Sequence, residues 1–244
     1  MNPRYLLLRT ALAVIVLLFL LTGCSYIEKF IGGGEEDVTD AGEIMAEGME
    51  EMGAGRYNLA VEAFQKIKDR FPYSKYAVLA ELKMADALYF QEEYDPAYAA
   101  YDDFEKLHPK HKDIPYVIYQ KGMCNFSQIK STDREQVHTF KAKEEFERVI
   151  KRFPRDEYAN KARKNLRECL IYLAEYELFV GNFYYKQGRY KAALGRYAYI
   201  INNYPDMGQY QDAMEGMTRC KEKLAQETAQ EGTWRTYWPF SSWK

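Results

Sequence analysis

The sequence contains few of the residues that metal centres, redox sites and catalytic sites use. It has three histidines and four cysteines among 244 residues, and no Cys-x-x-Cys pair. His108 and His111 have the spacing of a metal-binding pair, but no third ligand accompanies them. Nucleophile motifs and phosphate-binding glycine loops are absent from the sequence as well. These absences predict a protein that is not an enzyme and holds no metal.

The sequence also lacks an excess of either charge. Lys and Arg number 34 against 36 Asp and Glu, which gives a formal net charge of −2 at pH 7. This balance gives no support for a nucleic-acid-binding protein, which usually presents a basic face. The chain is instead 47% hydrophobic and contains 22 tyrosines, enough apolar material for a sizeable globular core.

No apolar run reaches the roughly 20 residues that a membrane-spanning helix needs. The longest covers residues 11–21 and follows two arginines, which predicts a signal peptide over residues 1–23. It ends at Leu21-Thr22-Gly23-Cys24, which resembles the bacterial lipobox, where the cysteine carries a covalent lipid. Because Ser25 follows, and not the aspartate of inner-membrane retention, the resemblance implies an outer-membrane lipoprotein that faces the periplasm. The alternative interpretation of this segment is a plain secretory signal with an incidental cysteine. Apart from the lipid on Cys24, no cofactor is expected.

One residue spacing recurs through the middle of the chain. Each copy begins with one residue and has an alanine three positions later. An aromatic residue follows four positions after the alanine, and a proline follows eight positions after the aromatic residue. Steps of three and four place these side chains on one helix face, and the proline ends the helix. The copies are Tyr57-Ala60-Phe64-Pro72, Tyr94-Ala97-Tyr101-Pro109, Thr139-Ala142-Phe146-Pro154 and Tyr190-Ala193-Tyr197-Pro205.

This repetition resembles the tetratricopeptide repeat. The predicted fold class is therefore all-α, a superhelical solenoid of about five helix pairs, with N-terminal repeats at about 41–154 and C-terminal repeats at about 155–228. Residues 156–187 are predicted to form either one long helix or two with a kink. Small residues stand where the first helix of a pair is crossed: Gly48, Ala85, Gly122 and Gly181.

Two segments are predicted to flank the solenoid. Residues 24–40, which contain Gly32-Gly33-Gly34, are predicted to form a flexible tether between the lipid and the folded domain. Residues 229–244 hold all three tryptophans. This tail is interpreted either as an association or membrane-interface site or as a segment that folds back and caps the open end of the solenoid.

The first helix of each pair is expected to line a concave binding surface. Methionine and tyrosine make adaptable surfaces that accept apolar and aromatic ligands. The alternative for each residue is that it packs on the adjacent helix. The predicted groove residues are Met45, Met49, Met52, Asp86, Tyr89, Tyr116, Tyr119 and Met123.

Several separate motifs together resemble the BamD family of lipoproteins of the β-barrel assembly machinery. They are Arg70-Phe71-Pro72-Tyr73-Ser74, Leu107-His108-Pro109, Asp133-Arg134-Glu135-Gln136, Arg152-Phe153-Pro154 and Tyr176-Glu177, behind the lipobox. The resemblance implies a non-catalytic scaffold in a complex with other Bam lipoproteins. It also implies that the C-terminal repeats bind a POTRA domain of BamA, and that the N-terminal repeats bind C-terminal segments of unfolded outer-membrane proteins.

For the BamA contact, Arg196 is the main candidate, because it lies beside the aromatic position of its helix and is expected to point outward. An arginine there is able to pair with a carboxylate of a partner. Asp133 and Arg134, in an inserted polar loop at residues 131–136, are a second candidate contact. The alternative function is a general tetratricopeptide adaptor lipoprotein in cell-envelope assembly, for secretins or peptidoglycan.

Overall fold

The computed structural model describes residues 33–131 and 136–237, with side chains from 40 to 230 of those ranges. Within these ranges the chain forms nine α-helices and no strand, which confirms the all-α fold class. The helices are α1 Gly33–Gly53, α2 Tyr57–Arg70, α3 Ala77–Phe90, α4 Tyr94–Leu107, α5 Ile114–Phe126, α6 Val137–Arg152, α7 Glu157–Lys186, α8 Tyr190–Asn203 and α9 Tyr210–Tyr237. In the described ranges no helix is both long and apolar enough to cross a membrane.

The chain divides into two compact units between Gln91 and Glu92. Unit 1 contains α1 to α3, and unit 2 contains α4 to α9. In each unit every helix packs on the next helix in the chain, as expected of tetratricopeptide helix pairs.

In three helix pairs the core contains an aromatic ring that lies directly on a glycine. A Cβ atom added at Gly122 would be 2.5 Å from Cε1 of Phe146, closer than such atoms approach in real structures. The same contact recurs at Gly48 with Phe64, at 2.6 Å, and at Gly181 with Tyr197, at 2.7 Å. All three rings are fully buried. The predicted crossing position is confirmed at these glycines, since only a residue without a side chain lets the ring reach the backbone.

The predicted helix stops are also confirmed. The second helix of each pair ends two residues before a proline, and the residue between the helix and the proline donates its backbone N–H to the carbonyl four positions earlier. The residue before a proline is disfavoured in helical conformation, so the helix ends just before it. These residues before the prolines are Phe71, His108, Phe153 and Tyr204.

Two boundaries differ from the prediction. α1 begins at Gly33, inside the predicted tether, because acidic residues at 35–37 favour the positive end of the helix dipole. α9 continues to Tyr237, nine residues into the predicted tail, because residues 221–231 are mostly strong helix formers. The predicted signal peptide and Cys24 lie outside the described residues.

The stretch between Pro154 and Gly188 is one helix rather than two. α7 has 30 residues, about 45 Å at the usual rise per residue. Its start is capped by Asp156, whose side chain accepts a hydrogen bond from the backbone N–H of Tyr158 at 2.8 Å. The length of α7 lets it pack on α5 and α6 in one part and on α8 and α9 in another.

Replacing Gly122 with alanine is expected to lower the free energy of unfolding by about 1–3 kcal/mol, because the new methyl group must displace the Phe146 ring. The control is Gly195→Ala in α8, where an added Cβ meets nothing within 4 Å. Alanine's better helix propensity is expected to stabilise that variant by about 0.5–1 kcal/mol. Chemical denaturation followed by circular dichroism measures both, and equal effects would contradict the crossing contact.

Candidate partner-binding surfaces

In unit 1, the three methionines predicted to line a groove differ in exposure. Met45 is only 6% exposed and packs in the core with Phe64 and Ile67. Met52 is half-buried against the same core, and Met49 is 43% exposed. The prediction is wrong for Met45, because packing between α1 and α2 takes up its side chain. Met49 offers the most accessible side chain of the three.

The two predicted groove residues of α3 also differ from each other. Asp86 is 2% exposed and accepts a hydrogen bond from Nζ of Lys83 at 2.8 Å, so it is a buried residue and the surface prediction is wrong. Tyr89 is half-buried and meets Phe90 edge-on, with ring centroids 5.8 Å apart. Phe90 is 49% exposed and stacks on Tyr57 at 5.6 Å. These rings form an apolar surface around Tyr89, to which Phe90 contributes although no sequence pattern singled it out.

In unit 2, Tyr116, Tyr119 and Met123 line the side of α5 that faces α7. The two tyrosine rings pack on Tyr158, with centroids 5.1 and 5.6 Å away. Asn165 donates to the Met123 sulfur at 2.8 Å and to the Tyr119 hydroxyl at 3.3 Å. All three predicted residues are half-buried, so much of each side chain packs on α7 and only the remainder is available to a ligand.

A cation stands at the edge of this aromatic group. Nζ of Lys161 lies 4.4 Å from the ring centroid of Tyr158, within the range of a cation–π interaction. Lys161 is exposed, and its hydrogen bond to Glu157, 3.1 Å long, raises its pKa and keeps it charged. Aromatic side chains beside a fixed cation suit a ligand that combines an apolar group with a carboxylate.

Another side of α5 carries a buried ion cluster. Lys121 is 2% exposed; its Nζ donates to Asp102 and, at 3.3 Å, to Glu105. Glu145 lies 3.6 Å from the same nitrogen, and the ring of Tyr98 lies 5.0 Å away. The cluster therefore ties α4, α5 and α6 together. No sequence pattern pointed to it, because its members are far apart in the chain and each reads as a solvated helix charge.

Arg196, the predicted BamA contact, lies on α8 with its side chain 42% exposed. Its Nη1 donates to both carboxylate oxygens of Glu177 on α7, at 3.0 and 3.2 Å. That hydrogen bond raises the pKa of the guanidinium. Within the described part of the chain Nη2 and Nε have no partner, so Arg196 is able to hold Glu177 and donate to a further carboxylate. The second predicted contact, Asp133 and Arg134, lies outside the described residues.

An aromatic stripe on α7 lies near this ion pair and was missed at the sequence level. Its spacing of four, three and four residues puts Tyr172, Tyr176, Phe179 and Phe183 on one face. Phe179 is 48% and Phe183 52% exposed. Tyr176 directly precedes Glu177, the partner of Arg196, so the stripe adjoins the ion pair on α7. The helical spacing of these aromatic residues is the sequence signal that predicts such a stripe on α7.

A family model described as YfiO, outer membrane lipoprotein, matches residues 38–235. The chain belongs to the YfiO family of outer membrane lipoproteins. The match covers both units, from α1 to nearly the end of α9.

Relatives in this family resemble the chain along most of its length. The outer membrane protein assembly factor BamD of Neisseria meningitidis serogroup B is 29% identical over 192 residues, which cover 75% of this chain and 72% of that protein. The protein of the same name from Vibrio cholerae serotype O1 is 24% identical over 232 residues, 91% of this chain and 94% of that protein. A solved structure of the yeast Sti1 TPR2AB domain in complex with pHSP90 has a TM-score of 0.44, 17% identity, and coverage of 75% and 70%.

Membership of the YfiO family, with these relatives and the helix-pair fold, makes the chain a non-catalytic scaffold protein. Among the described residues, no group of three or more His, Cys, Asp or Glu side chains is placed to hold a metal ion.

Replacing Lys121 with methionine is expected to destabilise unit 2 by about 2 kcal/mol at neutral pH, because it removes the buried charged donor that links carboxylates of α4 and α6. Those carboxylates keep the more exposed cations Lys106, Arg148 and Arg152. Burial raises the pKa of Asp102, but hydrogen bonds from Lys106 and Lys121 outweigh it and lower that pKa overall. A carboxyl group whose pKa is lowered by folding stabilises the folded state at any pH above its ordinary pKa, near 4. This stabilisation is lost as the pH falls through the lowered pKa of the folded state. The difference in the free energy of unfolding between the wild-type protein and Lys121→Met should therefore shrink below about pH 4.

Denaturation of both proteins across a pH series measures this difference. The control is Lys151→Met, at an exposed lysine of α6, where a change within about 0.5 kcal/mol is expected. If the stability lost in Lys121→Met stays constant down to acid pH, lost packing causes it and not the lost ion pairs of Lys121.

Proposed function

We propose that this protein is a scaffold of the β-barrel assembly machinery, which serves the folding and insertion of β-barrel proteins into the outer membrane. The observation that carries the proposal is the family match over residues 38–235, joined to relatives named as outer membrane protein assembly factors. A protein of stacked helix pairs with exposed aromatic surfaces suits this role, because such a fold binds other chains without chemistry of its own.

In this proposal a lipid on Cys24 anchors the chain to the outer membrane, and both helical units face the periplasm. Partners are BamA, other Bam lipoproteins and unfolded outer-membrane proteins. The C-terminal repeats bind a POTRA domain of BamA through Arg196 and the adjoining aromatic stripe. A partner surface that fits this site offers a carboxylate for Nη2 and Nε of Arg196 beside an apolar patch for Phe179 and Phe183. Asp133 and Arg134 are kept as a second, separate contact.

Arg196→Glu is expected to reduce co-purification of BamA from detergent extracts at least about tenfold, because a carboxylate would then face the carboxylate of the partner. The helical content should stay intact, since a half-exposed ion pair such as Arg196–Glu177 contributes about 1 kcal/mol or less. Arg189→Glu, at an exposed arginine just before α8, is the matched charge-reversal control and should leave BamA binding unchanged.

A charge-swapped double variant, Arg196→Glu with Glu177→Arg, separates a direct contact from an internal one. The swap restores the ion pair between α7 and α8 but not the cation that is proposed to meet BamA. BamA binding should therefore remain lost. Recovery of binding in the swapped protein would overturn the contact and leave Arg196 with a structural role alone.

Substrate binding is proposed for the N-terminal repeats, with one candidate surface in each unit. The surface of unit 1 consists of Met49 and the aromatic group at Tyr89. The surface of unit 2 consists of the half-buried rings of Tyr116 and Tyr119, with Lys161 of α7 at their edge. The C-terminal segment of an unfolded outer-membrane protein, which typically ends in an aromatic residue and carries a free carboxylate there, offers the groups that the unit 2 surface suits.

Lys161→Gln is expected to weaken binding of such a peptide by about three- to tenfold, and Tyr119→Ala by at least as much. The decisive comparison uses the same peptide as a free acid and as an amide, measured by fluorescence anisotropy. Lys161→Gln should affect only the acid, because the amide has no charge for the lysine to meet. Tyr73→Ala, at a fully exposed tyrosine, is the control. If Lys161→Gln loses affinity equally for the acid and the amide peptide, Lys161 does not bind the carboxylate of the peptide.

A further inference from the structure

The first turns of α7 and the turn before them carry more positive than negative charge. Residues 154–167 contain five basic side chains and two acidic ones. Both acidic side chains are already engaged, since Asp156 caps α7 and Glu157 binds Lys161. The other four cations are exposed and have no carboxylate partner among the described residues. These four, here called the basic surface, are Arg155, Arg163, Lys164 and Arg167.

Two arginines of the basic surface are held by uncharged oxygen atoms. Nη2 of Arg163 donates to the backbone carbonyl of Pro154 at 2.9 Å, and its Nη1 donates to the side-chain oxygen of Asn160 at 2.5 Å. Nη2 of Arg167 donates to the backbone carbonyl of Asp206 at 3.4 Å. These acceptors fix both guanidinium groups without cancelling their charge. Binding of an anion to groups that are already ordered costs less side-chain entropy.

The spacing of these residues puts their charges on one side of α7. Arg163 and Arg167 are four residues apart, and Lys164 and Arg167 are three apart, so neighbouring side chains start about 5–6 Å from each other. Arg155 directly follows Pro154, whose carbonyl holds Arg163, so it adjoins the same group. Like charges at these spacings repel each other and destabilise a helix. A bound anion relieves this repulsion, which favours an anionic partner.

The surroundings of the basic surface favour an acidic protein segment over a membrane as that partner. Between Phe140 and Phe179, a range that the structure describes throughout, no large apolar side chain is mainly exposed. Helices that lie on a bilayer insert apolar side chains into its interface. Carboxylates four residues apart on a helix, or on alternate residues of an extended segment, are about 5–7 Å apart, which matches the spacing of Arg163 and Arg167.

We propose that the basic surface binds an acidic segment of a partner protein, in which carboxylates recur at one helical turn or at alternate extended residues. Arg163 and Arg167 each pair with one carboxylate, because guanidinium groups bind carboxylates through parallel hydrogen bonds. Arg155 and Lys164 add attraction over a longer range. Arg167 is ten residues, about 15 Å of helix, from Glu177, so this contact is separate from the one proposed for BamA.

The test measures the binding of two short labelled peptides by fluorescence anisotropy. In one peptide glutamate alternates with serine, and in the other glutamine replaces every glutamate. The protein is the chain from Cys24 onward with Cys24→Ser, so that no lipid contributes. At low ionic strength the glutamate peptide should bind at least about tenfold more tightly than the glutamine peptide, and added salt should weaken its binding.

Variants locate the binding site. Arg163→Gln combined with Arg167→Gln is expected to lower the affinity for the glutamate peptide at least about tenfold. The matched control is Lys186→Gln combined with Arg189→Gln, which removes the same charge from exposed positions at the other end of α7. Its affinity should stay within about twofold of the starting protein, because exposed charges that far away are screened. Circular dichroism checks that both variants keep their helical content.

Three results would overturn the proposal. Equal affinity for the two peptides would show that the basic surface does not select carboxylates. An equal loss in both double variants would show that the peptide responds only to the total charge of the protein. Sedimentation with phosphatidylglycerol vesicles that depends on Arg163 and Arg167, without peptide binding, would assign the basic surface to anionic lipid. None of these results changes the expected co-purification with BamA, because that contact involves Arg196.

Discussion

The fold depends on one contact, repeated along the chain: an aromatic ring of one helix pressed onto a glycine of the helix before it. At Gly48, Gly122 and Gly181 the ring occupies the space that a Cβ atom would need. Because the crossing point is fixed at each of these sites, the direction in which the rest of each helix faces is fixed as well. The candidate surfaces among the described residues therefore lie on helices held at fixed crossings, which keeps their side chains in place.

Tyrosine serves two purposes in this arrangement. Tyr197 is fully buried at its crossing and Tyr101 is fully buried in α4, whereas Tyr116, Tyr119 and Tyr158 are half-buried and pack on one another along α5 and α7. The second group is stable enough to be ordered and still leaves ring surface for a ligand. Polar contacts complement the rings: the buried Lys121 cluster joins α4, α5 and α6, and the exposed Arg196–Glu177 pair joins α7 to α8. Lys121 is buried and has a structural role, whereas Arg196 is partly exposed and is accessible to a partner.

Much of the fold was predictable from the sequence, because the repeat spacing sets both the helix face and its stop. The start and end of α8 at Tyr190 and Asn203 follow from the repeat. The candidate sites were less predictable. A spacing places Met45 and Met49 on similar sides of α1 but does not tell which one packs inward, and Asp86 is buried although its type is usually exposed. Contacts between residues far apart in the chain, such as Lys121 with Glu145, leave no periodic signal at all.

We propose that this chain is an assembly factor for outer-membrane β-barrels. The most direct test depletes it in its own host and quantifies folded β-barrel proteins in isolated outer membranes. Folded barrels should decline as the protein is lost, while inner-membrane proteins keep their levels, and the wild-type gene should restore the barrels. Barrel levels that stay unchanged after complete depletion would contradict the proposed function.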